Sequence, residues 1–251
     1  MRRALVPIAC ASCGFRPGVA APDATHDAPP GAGTACESDP ALLICFSFDE
    51  AVLPASVPNE GTAAVTAQLT NVTSIASPGG HAARVDTTSE IMVPYASGVV
   101  GMVSMELWFR VDQDPADGMR AGLIDNAIGP NAMSLFVYRQ DPGPHMMRCT
   151  LGNETIYYNA PTYTVGDWHH AACVCDGTTM TMYFDGTTLG ANAGPCAPGG
   201  DLYDTVGITI GQNNNNITGT PAPVDNWLVG AIDGVKFWNV ALTAEQVSPA
   251  R

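Results

Sequence analysis

The hydrophobic positions of this chain fall in short runs rather than long helical stripes. "LLICFSFD" (42–49), "MVSMELWFRV" (102–111), "AMSLFVYR" (132–139), "HHAACVC" (169–175), "TMTMYFD" (179–185) and "GITIG" (207–211) are of strand length and rich in β-formers. Gly, Asn, Asp and Pro punctuate them, as in "DPGP", "DGTT", "GANAGP" and "GQNNNN". No segment between residues 50 and 240 carries a long helical period, so the pattern predicts an all-β sandwich. In "MTMYFDGTTLG" two alternating runs flank Asp185-Gly186, a dipeptide suited to a tight hairpin turn. The one helix signal is Thr243-Ala244-Glu245-Gln246, spaced like a capping box, and it predicts one short C-terminal helical turn.

Upstream of residue 41 the pattern is different. Met1-Arg2-Arg3 is a basic start, and the apolar run "ALVPIACA" that follows is too short to span a bilayer. Residues 1–21 are expected to be an export signal. Two cleavage sites compete within it. "CASC" resembles a bacterial lipobox, with Cys10 where Leu is usual, and would leave Cys13 lipidated; "VAA" (19–21) resembles an ordinary small-residue site. The lipobox is favoured because the apolar run ends next to Cys13. Residues 14–40, rich in Pro, Gly, Ala and Asp, read as a flexible linker, and residues 41–248 as the sandwich. The expected location is extracellular, free or as an outer-surface lipoprotein.

A chain of 251 residues suits one sandwich plus leader and linker. Hydrophobic residues make up 46%, enough for a core, and charged residues only 14%. The formal net charge of −14 argues against nucleic acid and anionic lipid, whose phosphates attract basic surfaces. It is compatible with neutral glycans and with divalent cations. A membrane is involved only through a possible lipid anchor.

"WHHAACVCDG" (168–177) sets two histidines beside Cys-x-Cys. Successive strand side chains point to opposite faces, so His169 and His170 diverge and do not chelate one ion. Cys173 and Cys175 share a face, but their Cα atoms are roughly 6.5–7 Å apart, at the limit for a mutual disulfide. No second Cys/His pair completes a zinc site. Setting aside Cys10 and Cys13, the remaining cysteines are Cys36, Cys45, Cys149, Cys173, Cys175 and Cys196, an even set in an apparently exported chain. Cys36 and Cys45 flank the start of the first strand and are expected to pair. Cys173 and Cys175 are expected to take different partners, drawn from Cys149 and Cys196.

"GDWHHAACVCDGTTMTMYFDGTTLG" resembles the central hairpin of laminin-G-like, or concanavalin A-like, jelly-roll domains, through Trp168, His169, His170, Ala172, Asp176, Gly177, Tyr183, Asp185 and Gly186. "GAIDGVKFWNVALTAEQV" (230–247) resembles the family's closing segment, "FSFDE" (46–50) its opening strand and "SMELWFR" (104–110) a middle one. The order and spacing cover about residues 41–248. The resemblance implies a two-sheet antiparallel jelly-roll sandwich, with the histidines as part of a structural signature. Cys173 and Cys175 stand where the family usually has β-branched or aromatic residues.

Some relatives of this fold hydrolyse glycans with paired carboxylates on one strand face. Here Glu106 stands without such a pair, and there is no G-x-S-x-G. The expected function is a non-catalytic extracellular binding module for carbohydrate at the cell surface. A module for cell-surface protein partners and a divergent glycoside hydrolase are the alternatives. In "VSMELWFRV", Val103, Met105, Leu107, Phe109 and Val111 alternate onto the core. Glu106, Trp108 and Arg110 fall on the other face, where a ring flanked by charges suits a sugar-stacking platform open to a groove. The resemblance further implies a structural calcium ion held by Asp49 and Asp233, with Glu50 as a substitute and Asn59 and Glu60 of the loop 51–61 completing the shell. This loop lacks the Asp that the family usually places there.

Overall fold

The protein is described by a computed structural model covering residues 36, 38–77, 80–94, 101–126, 132–139, 145–160, 164–199, 207–213 and 225–247. The export signal, Cys13 and nearly all of the linker expected from the sequence lie outside these residues.

Among the described residues seventeen strands follow in chain order: β1 (Leu42–Phe46), β2 (Ser56–Pro58), β3 (Thr66–Thr70), β4 (Thr73–Ser77), β5 (Gly80–Val85), β6 (Glu90–Val93), β7 (Ser104–Gln113), β8 (Arg120–Asn126), β9 (Ala132–Arg139), β10 (His145–Gly152), β11 (Glu154–Asn159), β12 (Trp168–Cys175), β13 (Thr179–Phe184), β14 (Thr187–Ala193), β15 (Ile208–Ile210), β16 (Asp225–Asn226) and β17 (Val229–Trp238). They form two sheets. Sheet A runs β14-β13-β12-β7-β17-β5-β4, with β1 also paired to β17. Sheet B runs β11-β10-β9-β8-β15-β6-β3-β2, with β16 beside β8. All the pairings are antiparallel except β16 with β8. This is the jelly-roll sandwich that the pattern and the resemblance imply.

Strand alternation places the core. Met105, Leu107, Phe109 and Val111 of β7 meet Ile232, Val235 and Phe237 of β17 and Leu123, Leu135 and Val137 of sheet B in one buried cluster. Burying such side chains stabilises the fold by roughly 1.5–3 kcal/mol each. Cys149 of β10 and Cys173 of β12 lie in this layer and form a disulfide that ties sheet B to sheet A. Cys175 pairs with Cys196, and Cys36 with Cys45. All three pairings agree with the sequence expectation and mark a chain made for an oxidising compartment.

Two local expectations are also met. Asp185 and Gly186 take φ of 48° and 72°, as a tight two-residue hairpin turn between β13 and β14 requires. At the C-terminus, Thr243 N donates to Gln246 Oε1 and Gln246 N to Thr243 Oγ1, a reciprocal capping box. Val247 N closes onto Thr243 O, giving a single turn with no helix among the described residues.

The inter-sheet disulfide generates a prediction. Replacing Cys149 and Cys173 together by Ala is expected to cost about 2–4 kcal/mol of stability, because the cross-link restricts the unfolded chain. Thermal unfolding without reductant measures this; an unchanged Tm would remove the disulfide from any structural role.

Candidate functional site

The outer face of sheet A carries Glu106, Trp108 and Arg110, on the face expected, but it does not leave them open. Trp108 is only 8% exposed. It packs with Ala82 of β5, Ala231 of β17, Trp168 of β12 and Ile75 of β4. Its ring lies 5.2 Å from that of His170. Small side chains on the neighbouring strands leave room for the bulky indole to lie over the sheet as an outer core. Glu106 is buried beside His170 Nε2 at 3.5 Å and Lys236 Nζ at 3.9 Å. Arg110 is held by Asp112 at 2.7 Å and lies over the Trp168 ring, 5.5 Å from its centroid. The open sugar platform expected at Glu106, Trp108 and Arg110 is therefore corrected: this triad is packed and internally paired.

The histidines act as a brace for the hairpin. Asp185 Oδ1 accepts from His170 N at 2.8 Å, and Asp185 Oδ2 lies 2.9 Å from His169 Nδ1. Asp185 N donates back to His170 O. His169 also stacks on Phe184 with centroids 4.9 Å apart. The turn aspartate thus ties the hairpin tip to β12, which explains why W-H-H and D-G occur together.

Asp49 and Asp233 lie where β1 and β5 follow one another along β17, near enough for the one charge to act on the other. Phe48 takes φ 52°, a strained value for a bulky residue, while it stays buried and stacked on Phe46. This reversal carries Asp49 to the start of β5. There Asp49 Oδ1 lies 3.5 Å from His81 N, and a Cβ added to Gly80 would be only 2.6 Å from that oxygen. Asp233 is 1% exposed; its Oδ1 accepts from Gly234 N, and its Oδ2 has no hydrogen-bond partner. Burial, and then the Asp49 carboxylate, push the Asp233 pKa up to about 8; the Gly234 amide and the Lys236 charge oppose them. A buried carboxylate with an orphaned oxygen, within the field of the exposed Asp49 carboxylate, suits the chemistry of a hard cation.

The remaining expected ligands do not join them. Asn59 Oδ1 accepts from Cys45 N and Gly61 N, and its Nδ2 donates to Leu43 O and Ala63 O. Its side chain is consumed in fastening the loop to β1, so it has no oxygen to give an ion. Glu60 Oε1 accepts from Ser47 Oγ at 2.7 Å. Glu50 is exposed, and its carbonyl accepts from Ser74 Oγ. Among the described residues no cluster of three or more His, Cys, Asp or Glu side chains forms a metal site, so any further donors there are carbonyls or solvent.

Sheet B carries on its outer face a surface that the sequence reading did not single out. Arg120 on β8, Phe136 and Tyr138 on β9, Arg148 on β10 and Tyr157 on β11 occupy adjacent register positions. The guanidinium carbon of Arg120 lies 4.4 Å from the centroid of Phe136, and that of Arg148 lies 5.4 Å from it. Arg148 also lies 5.8 Å from the ring of Tyr157. Both arginines approach Tyr138 Oη, at 2.9 and 3.4 Å. Tyr157, at 50% exposure, is the only aromatic ring among the exposed large hydrophobic residues described. It meets Tyr138 edge-on, with centroids 6.2 Å apart. A further row across the sheet is polar but covered: Thr209, Asp125, Ser134, Thr150 and Thr155 are cross-strand neighbours, and all but Thr155 are buried. The 211–213 segment crosses closely over β8, where a Cβ on Gly122 would lie 2.5 Å from the backbone of Gln212. Gln212 Oε1 in turn accepts from Trp227 Nε1 at 2.9 Å. The signal for this face was in the sequence: once Cys149 is committed to the core, Arg148 must face outward.

With the geometry in view, the family model for the concanavalin A-like lectin/glucanases superfamily matches residues 85–248, and the protein belongs to that superfamily. Solved structures share the fold at low identity. Domain 4 of AbnA, a GH43 extracellular arabinanase from Geobacillus stearothermophilus, in complex with arabinotriose, is 18% identical with a TM-score of 0.56, over 84% of this chain and 98% of that one. The binding domain of Paraclostridial Mosquitocidal Protein 1 is 12% identical with a TM-score of 0.57, over 82% of this chain and 51% of that one. Trypanosoma rangeli sialidase in complex with the inhibitor DANA is 15% identical with a TM-score of 0.55, over 83% of this chain but 32% of that one. The search of curated protein sequences found no match. At these identities the likeness concerns the fold; the superfamily includes both binding modules and enzymes.

Asp233 generates a pH prediction. Its folded pKa of about 8 lies above its ordinary value of 3.8, so the folded state holds a proton that the unfolded state releases. Without a cation, this contribution to stability is complete below the ordinary value and is lost as pH rises through the window to about 8. The loss is expected to be on the order of 2–5 kcal/mol. Urea unfolding in chelator from pH 5 to 8 checks it. Asp233→Asn should flatten the slope, and a slope unchanged by that substitution would contradict the assignment.

Proposed function

We propose that this domain is a non-catalytic, exported carbohydrate-binding module whose ligand lies on the outer face of sheet B. One observation carries the reading: exposed Tyr157, with Tyr138 beside it and two guanidinium groups laid on neighbouring rings, forms an aromatic surface edged by N–H donors. Sugar rings present apolar C–H faces and a rim of hydroxyls. A rigid phenol ring takes the first, and the arginine N–H groups and the tyrosine hydroxyls take the second. The arabinotriose complex of the AbnA domain supports carbohydrate as the ligand class. The binding-only reading is supported by Glu106, whose neighbours are a histidine and a lysine rather than a second carboxylate at hydrolytic spacing. Export is supported by the three disulfides. The proposal of a lipid anchor rests on the leader sequence alone.

A calcium ion on the opposite sheet belongs to the same proposal. Asp49 and Asp233 would hold it, and it would supply positive charge that lets Asp233 stay ionised in the fold. Its role is to fix the junction of β1, β5 and β17.

A glycan array, run with calcium and again with chelator, tests both parts. Binding to a defined set of oligosaccharides is expected. Tyr157→Ala should weaken it by about 1 kcal/mol or more, several-fold in Kd, through loss of ring stacking, while leaving Tm unchanged. Calcium should raise Tm by mass action. An array with no bound glycan in either condition would overturn the carbohydrate reading, and a Tm indifferent to calcium at pH 8 would overturn the ion.

A further inference from the structure

Arg148 is an anomaly in an acid-rich chain. Asp and Glu number 24 against 10 Lys and Arg. Among the described residues, three cations are held in ion pairs: Arg110 by Asp112, Arg139 by Asp114 and Asp117, and Lys236 by Glu106. Arg148 is half-buried and, among the described residues, has no ion pair. Its one hydrogen bond to them is a long one of 3.4 Å from Nη1 to Tyr138 Oη, and its buried Nε has no partner there. Its guanidinium lies instead over two rings, Phe136 and Tyr157. Stacking of this kind covers the faces of the group and leaves its in-plane N–H edge for an acceptor.

Neighbouring groups lean the same way. Arg120 lies on the other flank of Phe136. Ser134 Oγ and Gln212 Nε2, deeper in the same face, also have no partner. Guanidinium donates only, and an ionised carboxylate accepts only. The unpartnered groups described on this face can all donate, so its best ligand brings acceptors.

Resting on the carbohydrate reading above, we infer that the glycan carries a carboxylate, which pairs with Arg148 while a sugar ring lies against Tyr157. The overall charge narrows this further. At −14 the protein repels a dense polyanion, so the ligand is a mostly neutral glycan with isolated uronic acid units, whose single charge reaches Arg148 at short range. Arg148 has an alternative use, covering Phe136 with its aliphatic stem. That role would show in stability, not in discrimination between charged and neutral ligands.

The experiment uses matched pairs: xylo- and arabino-oligosaccharides each carrying one glucuronic acid, against the same molecules with the carboxyl reduced to the alcohol. Isothermal titration with the wild-type domain should show the acid form binding at least tenfold more tightly, with the difference shrinking as salt is raised. Arg148→Met should abolish the preference but keep the weaker binding of the reduced form. Arg148→Lys should restore part of it, because the charge returns without the planar fork. Should Arg148→Met not fold, the wild-type comparison and Arg148→Lys still decide. Equal binding of both forms overturns this inference and leaves the carbohydrate reading standing. A preference that survives in Arg148→Met moves the charge recognition elsewhere and also overturns it. Binding of neither form overturns both.

Discussion

Each sheet of this molecule has one face that must leave water, and the apolar layer between them determines nearly everything else. Phe109, Phe237, Leu107 and Ile232 on sheet A and Leu123, Leu135 and Val137 on sheet B interlock there. The Cys149–Cys173 bridge passes through the same layer and pins β10 to β12. Because side chains alternate, fixing the inner positions fixes the outer ones. A one-residue slip of β10 would expose Cys149 and bury Arg148, losing the disulfide and stranding a charge together. Register is thus enforced twice over, once by burial and once covalently.

The inner half of this logic was legible in the sequence. Alternation in 102–111 identified the core positions of β7, and two cysteines on one face of 169–175, at the limit of reach for bonding each other, pointed to two different partners. The D-G turn, the histidine pair and the closing I-D were legible as a pattern, and the structure supplies their mechanism. Asp185 braces His169 and His170, and Asp233 lies within the influence of Asp49. The outer half was not legible. Alternation states that Trp108 faces away from the core; it does not state whether something else lies on it. The deciding residues, Ala82, Ala231 and Trp168, come from distant strands that the topology alone makes neighbours. Asn59 was misread for a similar reason. An amide in a loop looks available to an ion until the backbone groups it fastens are known.

The two outer faces solve the same problem in opposite ways. Sheet A closes its face. Trp108 and Trp168 lie across it beside small residues, while Leu42, Val174, Trp238, Leu242 and Val247 make a second apolar patch around the Cys36–Cys45 bridge. Charges on that face are drawn into contact with one another, as in Glu106, His170 and Lys236. Removing one partner from such a buried group costs more than the contact itself contributes, since the others are left uncompensated. That face is consequently a poor place for a glycan to bind or for specificity to vary.

Sheet B leaves its face partly open, and there Arg148 stacks on rings with no ion pair among the described residues. Stacking holds a guanidinium in a fixed plane without neutralising it. A carboxylate from the chain itself would hold it as firmly but would cancel the charge and fill the N–H edge. In a chain with more than twice as many acids as bases, a neighbouring Asp or Glu was readily available, as the Arg110–Asp112 and Arg139–Asp117 pairs demonstrate. The cation on β10 is ordered by aromatic faces instead. That arrangement retains its unused hydrogen-bonding capacity at a half-exposed position beside Tyr157, which is the property a recognition surface needs and a merely stable one does not.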